Sequence, residues 1–329
     1  MFVSHCNHIK ELKWRTSQPL PLFPGALTCF SQLSYLSIDV AYVDSNAIYE
    51  MAQFCKDLDE LAIDSYHQDL PGLISLIDAQ RNLKGVRIDS EEGTCKELGK
   101  ALARKGNTIN ELHIYSTIAF SFSFLTSLVN LKILEINESY DLKQYLAISE
   151  FPDLEHFSMF EGSCFKELAM LIEKTNGNIL SFDIYTSNNR NAEYAGMLIN
   201  AIYSNCPKIK ILYTYLNPKD FVHIKLLLLN CRYLEYIWFC SLDVHANGND
   251  IGDELLDILT KFSPNSLTEI FISQGWKYSV GALEKFFESC KERTLLRFGF
   301  VAEYSNHITK DHNVIIERYV NEGIIKNFV

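Results

Sequence analysis

The chain of 329 residues is 47% hydrophobic and 22% charged, a balance that excludes a disordered polymer. Its 30 Lys and Arg stand against 41 Asp and Glu, a net charge of −11 that leaves no overall cationic field for nucleic acid or an anionic bilayer. The longest strongly apolar stretch, around Leu226 to Leu229, is far too short to span a membrane. The opening MFVSHCNHIKELKW sets polar residues where a signal peptide needs an unbroken apolar segment, so a cytoplasmic or nuclear location is expected.

The first cluster along the chain that invites a metal reading is His5, Cys6 and His8, but three ligands crowded into four residues cannot readily close a tetrahedral site. An ordinary chain start is the expectation, with no metal. From Ile9 onward one pattern dominates: apolar-x-x-apolar-x-apolar, read twelve times, with copies starting near residues 9, 33, 58, 83, 109, 131, 154, 179, 209, 234, 267 and 295. The intervals centre on the long end of the leucine-rich repeat period. Between copies lie helical signals. Thr94 to Glu97 reads as a capping box and Gly106 as a stop, bracketing Leu98, Ala101 and Leu102. Asn217, Pro218 and Asp220 read as a cap, a first-turn proline and a first-turn carboxylate ahead of Phe221, Ile224 and Leu228.

A strand-turn-helix unit cannot cover its own apolar face, so neighbours must stack. The fold class expected is an α/β leucine-rich repeat solenoid, a horseshoe or arc with a parallel inner sheet and outer helices, forming a single repeat domain over residues 1–329. Cys6, Cys55, Cys206 and Cys231 stand three residues before the first apolar position of their repeats, where Phe30, Leu128 and Phe151 stand in others. Cysteine there is read as a small buried hydrophobe, and the nine cysteines as reduced thiols.

Side chains alternate along a strand, so if positions one, four and six face the core, positions three, five and seven face the open concave side. Position five runs Lys13, Ser37, Ala62, Arg87, His113, Glu135, Ser158, Asp183, Tyr213, Trp238, Phe271 and Gly299. Tyr213, Trp238 and Phe271 fall on adjacent strands, and Tyr185, Ile211, Tyr215 and Tyr236 join them from positions three and seven. This cluster is the expected partner-binding site, with Trp238→Ala expected to change stability by no more than about 1 kcal/mol if the ring is exposed. Cover by the C-terminal tail or by the stretch from Ser241 to Asp250 is the competing reading. Arg87, His113 and Glu135, with Asp89 and Glu111 nearby, superficially resemble acid-base machinery. With no nucleophile evident they are read as solvated charges, and no catalytic residue or cofactor is expected. Asp243, Asn247, Gly248 and Glu254 echo a calcium loop, but His245 breaks it, so a polar insertion is expected there.

The phrases TCKELGKALARKGNTIN from Thr94, SCFKELAMLIEKTNGNI from Ser163, NCPKIKIL from Asn205, DIGDELLDILTKFSPNSLT from Asp250 and FFESCKERTLL from Phe286 resemble an expanded fungal family of F-box-like repeat proteins. Cysteine near the strand entry is similar to the repeat region of F-box proteins, the substrate receptors of Skp-cullin-F-box ubiquitin ligases. The resemblance implies a non-enzymatic receptor that holds a protein destined for ubiquitination on its concave face. It implies Skp-adaptor binding only through an upstream F-box, which is not found here because Ile9 already opens the first repeat. A free-standing scaffold or decoy without ligase recruitment is the alternative. A third reading is GTPase activation with Arg87 as the supplied arginine.

Overall fold

The computed structural model describes residues 9–90, 94–116, 119–137, 141–186, 194–241, 251–293, 295–301 and 307–329. The chain is an α/β leucine-rich repeat solenoid: parallel strands alternate with helices along its whole described length. It divides into two compact units, Met1–Met159 and Phe160–Val329.

The first unit holds β1 (Glu11–Trp14), β2 (Tyr35–Asp39), β3 (Glu60–Asp64), β4 (Gly85–Ser90), β6 (Glu111–Ser116), β8 (Ile133–Asn137) and β9 (His156–Phe160), adjacent in that order, except that the last residue of β9, Phe160, belongs to the second unit. The short strands β5 (Thr94–Cys95) and β7 (Ala119–Phe120) pair with each other beside them. Its helices are α1 (Ala26–Phe30), α2 (Ser45–Ala52), α3 (Pro71–Ala79), α4 (Glu97–Arg104) and α5 (Leu142–Ile148). The second unit continues with β10 (Ser181–Tyr185), β11 (Ile211–Leu216), β12 (Tyr236–Ser241), β13 (Glu269–Ser273), β14 (Leu295–Val301) and β15 (Ile325–Phe328). Its helices are α6 (Phe165–Ile172), α7 (Ala195–Asn205), α8 (Phe221–Asn230), α9 (Ile251–Phe262), α10 (Val280–Ser289) and α11 (Lys310–Asn321).

Strand pairing keeps the repeat in register, position for position. Leu36, Leu61, Val86, Leu112 and Leu134 align across β2, β3, β4, β6 and β8, and Leu212, Ile237, Ile270 and Phe298 align across β11 to β14. All of these position-four side chains are buried, because the two-residue strand period sends positions four and six together onto the helix-covered face. At the strand entry the carbonyl of position two accepts two amides of the next repeat. Asp59 and Glu60 donate to Ser34, Lys84 and Gly85 to Asp59, and Glu235 and Tyr236 to Lys210.

Some helix starts are secured from the preceding repeat as well as by local caps such as Asp44 of α2 and Ser279 of α10. The Ser45 hydroxyl accepts from the Gly72 amide at 2.9 Å, and Asp253 accepts from the Ser279 amide at 2.6 Å. The same device corrects the capping box read at Thr94. Thr94 lies in β5, Lys96 occupies the cap position without a side-chain bond, and Asp69 accepts from the amides of Lys96, Glu97 and Leu98 at 2.9, 3.0 and 3.2 Å. Burial works against the Asp69 carboxylate, but these three amides and the Tyr66 hydroxyl outweigh it and hold its pKa below the usual range. The Asn217 cap is as the sequence indicates: its side chain accepts from Lys219 at 3.2 Å, Pro218–Asp220 forms a 3-10 turn, and α8 follows.

Two repeats depart from the strand-helix form. Between β6 and β8 the interval is the shortest, and a 3-10 helix at Phe122–Ser127 replaces the α-helix, since its greater rise per residue crosses the unit with fewer residues. At the C-terminus β15 adds a strand beyond the twelve copies. The sequence supplies only Ile325 and Phe328 of the three apolar positions before Val329, so the six-residue pattern is incomplete there.

Among the described residues no helix is long and apolar enough to cross a membrane. The cysteine slot is core: Cys55, Cys206 and Cys231 are buried like Phe30, Leu128 and Phe151, and burial pushes the thiols of Cys55 and Cys231 up to about 12, so they stay protonated. Cys6, with His5 and His8, and Asp243 to Gly248 of the calcium-like stretch lie outside the described residues.

Candidate functional site

The sheet face opposite the helices carries two different surfaces, one in each unit. In the second unit it is aromatic. Register sets Tyr213 beside Trp238 and Trp238 beside Phe271 on β11, β12 and β13, because position five recurs on each strand. Strands about 4.8 Å apart hold ring planes at stacking distance. Tyr213 stacks on Trp238 with centroids 5.2 Å apart, and Trp238 on Phe271 at 4.7 Å, with interplanar angles of 22° and 20°. Tyr185, as expected, meets Tyr213 at 4.2 Å, and the row extends past the predicted members to Phe160, nearly parallel to Tyr185 at 5.1 Å and 9°. Tyr236 packs on Phe271 at 5.5 Å, and the Arg297 guanidinium sits 5.9 Å from the Phe271 centroid while pairing with Glu269.

The structure thus brings together the rings read from the sequence, and exposure divides them. Tyr185 and Ile211 are 37% and 40% exposed, whereas Phe271 is 4% and Tyr215 8% exposed. Phe271 sinks because position five of the next strand is Gly299, where a Cβ would stand 2.9 Å from the Phe271 ring. Tyr215 is drawn in by its hydroxyl, which donates to the Thr186 carbonyl at 2.7 Å and accepts from its amide. Trp238 is half-buried between two rings, and its indole N–H is fully covered with no partner. Its removal therefore dismantles a stack as well as a surface, which revises the stability expectation of 1 kcal/mol upward. Burial raises the phenol pKa of Tyr213 and of Tyr236, so both stay neutral hydroxyls.

The first unit's sheet face is polar and indented. A basin of about 310 Å³ opens over β3, β4 and β6, bordered by Tyr35 and Glu135. Here Arg87, His113 and Glu135 are not separately solvated, as the sequence suggested. His113 Nδ1 lies 2.9 Å from Glu135 Oε2, the Tyr115 hydroxyl donates to the same carboxylate, and the Arg87 guanidinium sits 5.4 Å from the Tyr115 ring centroid. Burial opposes the Glu135 charge, but the bonds from Tyr115 and His113 and the nearby Arg87 outweigh it and lower its pKa. Burial, then the bond to Glu135, pushes the Tyr115 phenol up to about 12. Tyr115 stands at position seven of its copy, two residues along the strand from His113, and goes unread in the sequence because its role depends on its hydroxyl reaching Glu135 on the next strand.

No family model and no curated protein matches the sequence. Among solved structures the chain is similar to the yeast Rad7 and Elc1 complex, at 12% identity and a TM-score of 0.46 over 90% of this chain and 76% of that one. It is also similar to a leucine-rich repeat-containing protein from Legionella pneumophila, at 12% identity and a TM-score of 0.38 over 98% of this chain and 92% of that one. A leucine-rich repeat protein of Leptospira interrogans gives 11% identity and a TM-score of 0.42 over 98% of this chain and 96% of that one.

Proposed function

We propose that the chain is a protein-binding repeat module that holds its partner on the aromatic sheet face of the second unit. The observation that carries this reading is the stack from Phe160 to Phe271, rigid and pre-aligned, with Tyr185 and Ile211 left exposed along it. Aromatic anchors supply much of the energy of protein interfaces, and rings already locked by their neighbours lose little freedom on binding. Asp183 and the Glu269 and Arg297 pair give the surface a polar rim.

The finer reading is the substrate-recognition region of an F-box-type ubiquitin ligase receptor, supported by the resemblance of the repeat phrases to that family. In it, the protein on the aromatic face is the one to be ubiquitinated, and the Skp adaptor is engaged by an F-box and not by these repeats. Affinity capture from a lysate with the wild-type chain, a Tyr185→Asp/Ile211→Asp variant and a Val222→Asp control on α8 tests both levels. The double variant should lose at least about tenfold of the principal captured protein, a hot-spot effect of about 1.4 kcal/mol or more, while the control retains it. Equal capture by all three contradicts the aromatic site. A captured partner whose ubiquitination does not depend on the chain contradicts the ligase reading and leaves a scaffold.

A further inference from the structure

We infer that the basin of the first unit is a receptor for a cationic side chain, the arginine or lysine of a basic peptide segment. This inference does not rest on the aromatic face. It comes from what stands on three neighbouring strands: Glu60 on β3, Gly85 on β4 and Glu111 on β6 are in direct register, so two carboxylate side chains flank a position with no side chain. Two strand spacings put the two glutamate backbones about 9.6 Å apart, a gap that two carboxylates can close on a single planar guanidinium or ammonium group. The next outward position of β3 is small as well, with Ala62 lining the basin two residues past Glu60.

The local cations do not fill this need. Arg87 is the obvious neutralising group, yet it lies over the Tyr115 ring, and among the described residues neither Glu60 nor Glu111 enters an ion pair within 4.0 Å. His113 is engaged with Glu135, whose carboxylate also takes the Tyr115 hydroxyl. The arrangement therefore separates one carboxylate that is internally satisfied from two that are not. At about 310 Å³ the basin stands at the low end of ligand-site volumes, which suits one long side chain of a bound peptide better than a whole small molecule. Tyr35 on one side offers a ring wall beside the cation.

The test is fluorescence anisotropy of a labelled hexa-arginine peptide against the purified full chain at physiological ionic strength. Because the chain carries a net charge of −11, a charge-matched control is essential. Glu60→Gln/Glu111→Gln should weaken binding about tenfold or more, whereas Glu50→Gln/Glu317→Gln, with the same change in net charge on exposed helical positions, should stay within about twofold. Gly85→Val fills the gap without altering charge. A Cβ there meets only the flexible Glu60 side chain, nearest at Cγ, 3.0 Å away, so the strand should persist, and this variant should weaken binding to a similar degree. Melting curves identify any variant that fails to fold, and the other then decides. No binding by the wild type, equal weakening by the control pair, or unchanged binding by both basin variants overturns the inference.

Discussion

In the first unit the outward residues of β6 and β8 meet as Tyr115, His113 and Glu135, joined by hydrogen bonds around one carboxylate with Arg87 of β4 over the Tyr115 ring; in the second, the outward positions of β11, β12 and β13 carry Tyr213, Trp238 and Phe271, joined by ring stacking. The backbone beneath is the same in both. Positions four and six are buried in each, and the position-two carbonyl takes two amides of the next repeat in each. The difference teaches that the repeat fixes only where side chains stand, and that the outward columns are free to become a polar basin with charges to match or an apolar platform with rings to anchor. A partner that uses one surface has no chemical reason to use the other.

The largest expected effect checks what the two regions share. Leu112→Ala in the first unit and Leu212→Ala in the second should each cost about 2 to 5 kcal/mol, because both side chains are fully buried at position four. Denaturant melts should show comparable losses. A loss confined to one unit would break the claim of a common core.

Next in size is the comparison of the outward faces. Trp238→Ala removes a ring clamped between Tyr213 and Phe271 and should destabilise the chain by about 2 to 4 kcal/mol. His113→Ala, on the polar face, should cost about 1 kcal/mol or less, since its bond to Glu135 is part-exposed. Reversal of that order would mean that the aromatic row is mere decoration on the sheet.

A smaller effect separates the faces by pH. Burial acts to raise the Glu135 pKa, but Tyr115, His113 and Arg87 hold it below its ordinary value of 4.5. A carboxyl depressed in the folded state contributes its stability above the unfolded pKa and loses it as pH falls through the folded one. The stability gap between the wild type and Glu135→Gln should therefore be fully present at neutral pH, at about 1 kcal/mol or less given the partial exposure, and shrink below about pH 4.5. Phe271→Leu on the aromatic face should show no such dependence.

How far the sequence reveals these faces depends on the kind of contact. Every strand of the main sheet from β1 to β13 begins at position three of its predicted copy, because apolar periodicity follows directly from burial, whereas the two-residue strands β5 and β7 belong to no copy. The central rings Tyr213, Trp238 and Phe271 were equally legible, as they repeat at one position of the pattern. Phe160 and Arg297 were not, since their joining the row depends on ring orientation and side-chain reach across strands. Asp69 as the cap of α4 escaped for a similar reason: the sequence signal at Thr94 to Glu97 is local, whereas the amides are met by the preceding repeat. The paired notch of Glu60, Gly85 and Glu111 was hidden in the position-three column, where a glycine reads as a gap until its neighbours' register is known.

The claim that the aromatic face holds a protein partner is tested most directly by photo-crosslinking from single positions. A benzophenone amino acid placed at Ile211, exposed on the aromatic face, should yield a discrete crosslinked adduct in cells, while the same residue at Val222, exposed on α8, should yield none of that species. An adduct formed from Val222 and absent from Ile211 would contradict the account.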